Sequence, residues 1–137
     1  MSFEKTEKPM ASATLRIHSS TLSPGEISSR LKTPPTQSFL KGEKMSPRNP
    51  SSATSEENLW TLESRETESI SLEAHILWLA DFIEQSLPAL KSLLTDCEID
   101  IFCGYSSLTG QGGFTLDAEV MKRLSEIPID ITFDIYC

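Results

Sequence analysis

Between residues 72 and 94 the chain carries Leu72, Ile76, Leu79, Ile83, Leu87, Leu90 and Leu94, spaced by 4, 3, 4, 4, 3 and 4 positions. Those intervals keep every member on one face of a 3.6-residue helix, giving a continuous apolar stripe. A stripe that long is stable only when a second layer covers it, so the rest of the chain must supply an apolar surface. Pro88 lies inside the pattern, where it removes an amide donor and sets its ring against the carbonyl of Glu84. The pattern therefore predicts a kinked helix, or two helices, opened by Ser71 and broken at about 85–87.

The covering surface is written as strands. Ala13, Leu15 and Ile17 alternate with Thr14, Arg16 and His18, a period of two that buries one face and wets the other. Trp60 and Leu62 share a face of a second strand, and Ile99, Ile101 and Cys103 share a face of a third. Phe102 spoils the polar side of that third strand, so both of its sides are expected to be partly covered. Ile129, Ile131, Phe133 and Ile135 alternate with Asp130, Thr132, Asp134 and Tyr136 in a closing strand.

Two shorter helices complete the set. Ser23 is a cap, Pro24 suits the first helical position, Glu26 completes a Ser-x-x-Glu capping box, and Leu22 can staple onto Ile27. That helix must stop near Lys32, because Thr33 precedes Pro34. A glycine-bearing segment, 104–113, leads to Asp117 as cap of a helix that turns Val120, Leu124 and Ile127 inward. TLSPGEISSRL (21–31) and TLDAEVMKRL (115–124) echo each other. Duplication and the shared chemistry of helix caps both account for that echo. The expected fold is an α+β two-layer sandwich of two β-α-β units joined by the long kinked helix. Its sheet is ferredoxin-like, with helices on one face.

At 38% hydrophobic the chain is less apolar than a typical globular domain, and the deficit is local. Residues 1–10 read as a mobile tail, and 11–137 as a single domain interrupted by a long Pro/Ser-rich loop at 33–57. Charge is uneven as well. The net charge is −8, yet residues 58–137 hold four bases against fourteen acids, while 11–57 hold six bases against four acids. An acidic field of that size repels phosphate backbones and excludes duplex nucleic acid as the expected partner. No apolar run reaches the roughly 18 residues of a membrane span. The first ten residues lack the apolar core of a secretory signal, and three cysteines make no disulfide framework. A cytoplasmic location is the expectation.

Strand-TLSPGEISSRL, Pro35-Thr36, Lys41-Gly42-Glu43, Trp60-Thr61-Leu62 and FTLDAEVMKRLSEIPIDITFDIY together resemble an uncharacterised, mainly bacterial family, domain of unknown function 4279. The likeness spans roughly 13–136 and departs from the expected pattern at Lys32, where glycine would stand. The resemblance implies one small bacterial domain and brings no activity with it.

No catalytic or metal-binding constellation emerges. His18 and His75 lie far apart in sequence, and the cysteines form no CxxC. The 104–113 segment lacks the lysine of a phosphate loop, so its glycines are expected to serve turns. If the third and fourth long strands pair, Asp100 approaches Asp130 or Asp134. Candidate binding residues are Lys41 and Lys44 in the basic loop, together with Trp60 and Tyr105. No cofactor is expected. The leading expectation is a non-enzymatic module for a protein partner, such as an immunity-type protein against a basic toxin. A small-molecule sensor with a pocket near Tyr105 and Phe114 is the alternative. A hydrolase pairing His18 with Cys103 or an acidic pair comes third.

Overall fold

A computed structural model of the chain describes residues 10–65, 71–106 and 112–136. Most of the expected tail, the segment 107–111 of the glycine-bearing stretch, residues 66–70 and Cys137 lie outside the described residues.

The elements run β1 (Met10–Ser19), α1 (Pro24–Leu31), β2 (Gln37–Phe39), β3 (Asn58–Glu63), α2 (Leu72–Gln85), α3 (Leu87–Leu93), β4 (Glu98–Ser106), α4 (Ala118–Leu124) and β5 (Asp130–Tyr136). Among the described residues the architecture is α+β: a mixed five-stranded sheet in the order β2-β3-β1-β4-β5, with four helices. All pairings are antiparallel except β4 with β5.

Alternation sorts the strands into two faces. Ala13, Leu15, Ile17, Trp60, Leu62, Ile101 and Cys103 are buried beneath the helices, in one core with Ile27, Leu79 and Leu124. Each large side chain so buried contributes about 1.5–3 kcal/mol relative to exposure. Arg16, His18, Asp100 and Phe102 take the opposite face and are half-buried.

The apolar stripe makes two helices. Ser86 closes α2 and caps α3, its amide donating to the Phe82 carbonyl at 3.0 Å and its carbonyl accepting from Leu90 N at 2.9 Å. Pro88 thereby occupies the first turn of a new helix, where a missing donor costs nothing. The break also resets the phase: Leu93 is fully buried, while Leu94, next in the stripe, is half-buried. In α1 the capping box forms as expected, Ser23 Oγ accepting from Glu26 N at 3.2 Å and Glu26 Oε1 from Ser23 N at 3.2 Å. Lys32 then ends the helix in the left-handed conformation, φ 53° and ψ 38°, the geometry that glycine adopts most cheaply. A side chain there costs about 1–2 kcal/mol of backbone strain.

The sheet departs from a simple ferredoxin-like one and from the expected pair of units. The strand after α1 is β2, three residues hidden in the 33–57 loop, and β3 separates it from β1. The helix pair α2–α3 is not a joint between units, because it carries the chain from β3 across β1 to β4. A further strand, β5, follows α4 and lies directly beside β4. The two echoing segments thus serve unlike connections, one spanning an intervening strand and one joining neighbours. The physical reason is loop length: 40–57 lets β2 and β3 fold back as a hairpin, whereas the compact link through α4 leaves β5 next to its predecessor.

Candidate functional site

The uncovered face carries one organised cluster. Antiparallel register sets Arg16 between Thr61 and Asp100, and parallel register sets Asp130 beside Asp100. Arg16 clasps Asp100 in a fork, Nε to Oδ1 at 2.8 Å and Nη2 to Oδ2 at 2.7 Å. Its guanidinium carbon sits 4.8 Å from the centroid of the Phe102 ring, which explains the aromatic on a polar face. His18 Nε2 lies 3.8 Å from the same Asp100 carboxylate. The fork neutralises Asp100 and staples the middle of the sheet. Asp130, Asp134 and Glu98 have no cation paired with them among the described residues, so negative charge accumulates toward the β4–β5 side.

That side ends in an open strand. β5 is the last strand of the sheet, and no described strand pairs with its outer edge. Between the edge and α4 runs an apolar groove of about 340 Å³, lined by Met121, Leu124, Ile127, Ile129 and Ile131. Ile135 and Tyr136, near the end of the strand, are 55% and 57% exposed, and Met121 on α4 is 53% exposed. The cause is a mismatch of length. Seven helical residues cover about 10 Å, whereas seven strand residues extend about 23 Å. Tyr136 donates its phenol proton to Asp134 Oδ2 at 2.5 Å, and that bond pushes the phenol pKa up. Arg123 does not offset the edge acids, because it turns away to Asp81 (2.5 Å) and Glu84 on α2.

The candidate binding residues do not share a surface. Lys41 and Lys44 stand exposed on the arm that links β2 and β3. The arm is closed by Gly42 N to Ser55 O and Ser55 N to Glu43 O, both 2.8 Å, and by a bridge between Lys44 and Thr54. Trp60 is fully buried beneath the helices, its Nε1 donating to Ser28 Oγ at 2.9 Å. Tyr105, expected at a recognition surface, is 8% exposed. It meets Phe114 edge-on at 5.4 Å, and Phe114 stacks on Phe133 at 5.2 Å. Tyr105 is corrected to a core position, since alternation turns it to the helix-covered face, while Trp60 takes the buried face it was expected to share with Leu62 and so offers no binding surface.

The thiol chemistry considered from sequence has no geometry. Cys103 lies under the helices and His18 on the other face of the sheet. Burial pushes the Cys103 thiol up to about 12 and raises that of Cys97, so neither offers a thiolate. His18, Cys97, Asp100 and Asp130 do line a cleft of about 370 Å³, but its thiol is protonated and Asp100 is held by Arg16. His75 is buried, with Nδ1 3.0 Å from Ser64 Oγ. Among the described residues no group of three or more His, Cys, Asp or Glu side chains is placed to hold a metal ion. No described helix is long and apolar enough to cross a membrane.

What these elements define is an α+β domain on a mixed five-stranded sheet, with a stapled sheet face and one open, acidic edge. The chain belongs to the family described as domain of unknown function (DUF4279), whose match covers residues 8–137. Comparison with curated proteins and with solved structures returns no match.

Proposed function

We propose that the protein is a non-enzymatic binding module whose β5 edge receives an extended, basic segment of a protein partner. In this reading β1 to β4 form a ferredoxin-like core, and α4 with β5 is the addition that makes the binding edge. The observation that carries the proposal is the coincidence of an unpaired edge and uncompensated carboxylates on one terminal strand with an apolar groove that opens beside its start. Strand addition supplies backbone hydrogen bonds, the groove takes alternate apolar side chains, and Asp130 and Asp134 select lysine or arginine between them.

The same acids argue against a second copy as occupant. Pairing two β5 edges would place four carboxylates on one face of a continuous sheet, an arrangement that like-charge repulsion opposes. A basic toxin neutralised by an immunity-type protein is one partner with the required chemistry.

Calorimetric titration with a peptide of alternating Lys and Val tests the proposal. Saturable binding is expected, weakened by salt and roughly tenfold weaker in an Asp130→Asn/Asp134→Asn variant. Equal binding of an alternating Glu and Val peptide, or self-association through β5, would overturn it.

A further inference from the structure

A third concavity lies in the helix layer, away from the β5 edge. It measures about 400 Å³, within the range of small-molecule sites, and opens where α1 and β3 end against α2. Its apolar wall is Leu62 from β3 with Trp78 and Phe82, one turn apart on α2 and only half-buried. Lys32 and Arg65 line it from the ends of α1 and β3, both exposed and without an ion pair among the described residues. Arg65 is one of only four bases in the acidic 58–137 segment, and Arg123, another of the four, is already paired.

Lys32 is the second, independent observation. It is the one non-glycine residue with positive φ among those described, in a conformation glycine would hold without strain. Thr33 Oγ1 already donates to the Leu31 carbonyl at 3.0 Å, so the end of α1 is served without the lysine side chain. A strained position that keeps a cation beside half-covered aromatics fits recognition of a ligand with an apolar body and a negative group.

We propose that this cleft binds a small amphipathic anion, an aromatic or short aliphatic carboxylate. Its body packs on Trp78 and Phe82, and its carboxylate meets Lys32 and Arg65. Arginine and lysine give charge-assisted hydrogen bonds to a carboxylate, and the aromatic wall gives the area that holds the body. A cationic ligand meets like charge, and a neutral one leaves both cations unused.

The test uses the full chain and the indole resonance of Trp78, which is distinguishable because Trp60 is buried and hydrogen-bonded to Ser28. Benzoate and octanoate are titrated beside benzyl alcohol and benzylamine. The expected result is a saturable shift with the two carboxylates and at least roughly tenfold weaker binding of the alcohol and the amine. Lys32→Gly and Arg65→Gln are each expected to weaken benzoate roughly fivefold, with the melting temperature of Lys32→Gly equal to wild type or higher. No saturable shift, an alcohol bound as tightly as benzoate, or undiminished affinity in both variants would overturn the proposal. The β5 edge is absent from this readout, so failure here and failure of the edge proposal are separately visible.

Discussion

The two edges of the sheet are built in opposite ways. At one edge β2 is three residues long and locked onto β3 by side chains as well as backbone. Thr61 Oγ1 donates to Gln37 O at 3.0 Å and accepts from Gln37 N at 3.2 Å, while Thr36 Oγ1 accepts from Glu63 N at 2.9 Å. Beyond it stands the arm bearing Lys41, Lys44 and Arg48. At the other edge β5 runs seven residues, with exposed apolar side chains and carboxylates and only partial cover from α4. A short, polar edge gives a foreign strand little to pair with, and a long edge beside an apolar groove gives it much.

Substitutions that break this contrast differ in size. The largest effect is expected at the anchor of the β2–β3 side. Trp60→Ala removes a fully buried indole and its bond to Ser28, and should cost about 3–5 kcal/mol in urea unfolding. A loss under about 1 kcal/mol would mean that this side is not held from within.

Next comes the staple between the two sides. Asp100→Ala leaves Arg16 without its fork. Because the two side chains are 29% and 21% exposed, solvent screening reduces the expected loss to about 1–2 kcal/mol. A double-mutant cycle with Arg16→Met isolates the pair, and a coupling near zero would contradict its role as staple.

Glu73 sharpens the comparison on the β5 side, because it ties the segment before α4 to the start of α2. Its carboxylate accepts from Thr115 N at 3.0 Å, and that bond, with lesser help from its own amide and Ser71, holds its pKa below the ordinary value against a partial desolvation. A pKa lower in the folded than in the unfolded chain gives stability that is complete above the unfolded value. That stability is lost as pH falls through the folded one. Glu73→Gln should therefore cost up to about 1 kcal/mol at neutral pH, and the difference from wild type should vanish in acid. A gap that widened on acidification would contradict the bond.

The smallest effect is expected at the acidic edge itself. Asp134→Asn should change stability by no more than about 0.5 kcal/mol while weakening the basic peptide, which separates binding from folding. A large stability loss would place Asp134 in the fold and not at an interface.

Much of this was legible in the residues, for reasons that are local. Pro88 marks the break at Ser86 because a proline inside a helix loses a hydrogen bond and clashes with the preceding turn, and Ser23 with Glu26 marks a helix start because few residues cap. That Asp100 shares a face with Asp130 and Asp134 follows from alternation once the two strands are neighbours, and the register then chooses Asp130. The open edge was not legible. Alternation points Ile135 inward, and only the shortness of α4 relative to β5 leaves it exposed. Three-residue β2 carries no period to read, and without it the route of α2–α3 across the sheet cannot be inferred. Arg16 and Asp100 are 84 residues apart, so their one signal was a cation and an acid on two polar strand faces. Of the cleft beside Lys32, the residues marked only the lysine that stands where the family pattern has glycine.

The central claim, that the molecule binds through one edge and not the other, is tested most directly by amide hydrogen exchange on the full chain with and without the alternating Lys and Val peptide. Added protection is expected at residues 130–136 of β5, with the amides of 37–39 and 58–63 unchanged. Protection at the β2–β3 side, or at neither edge while the peptide is bound, would contradict the account.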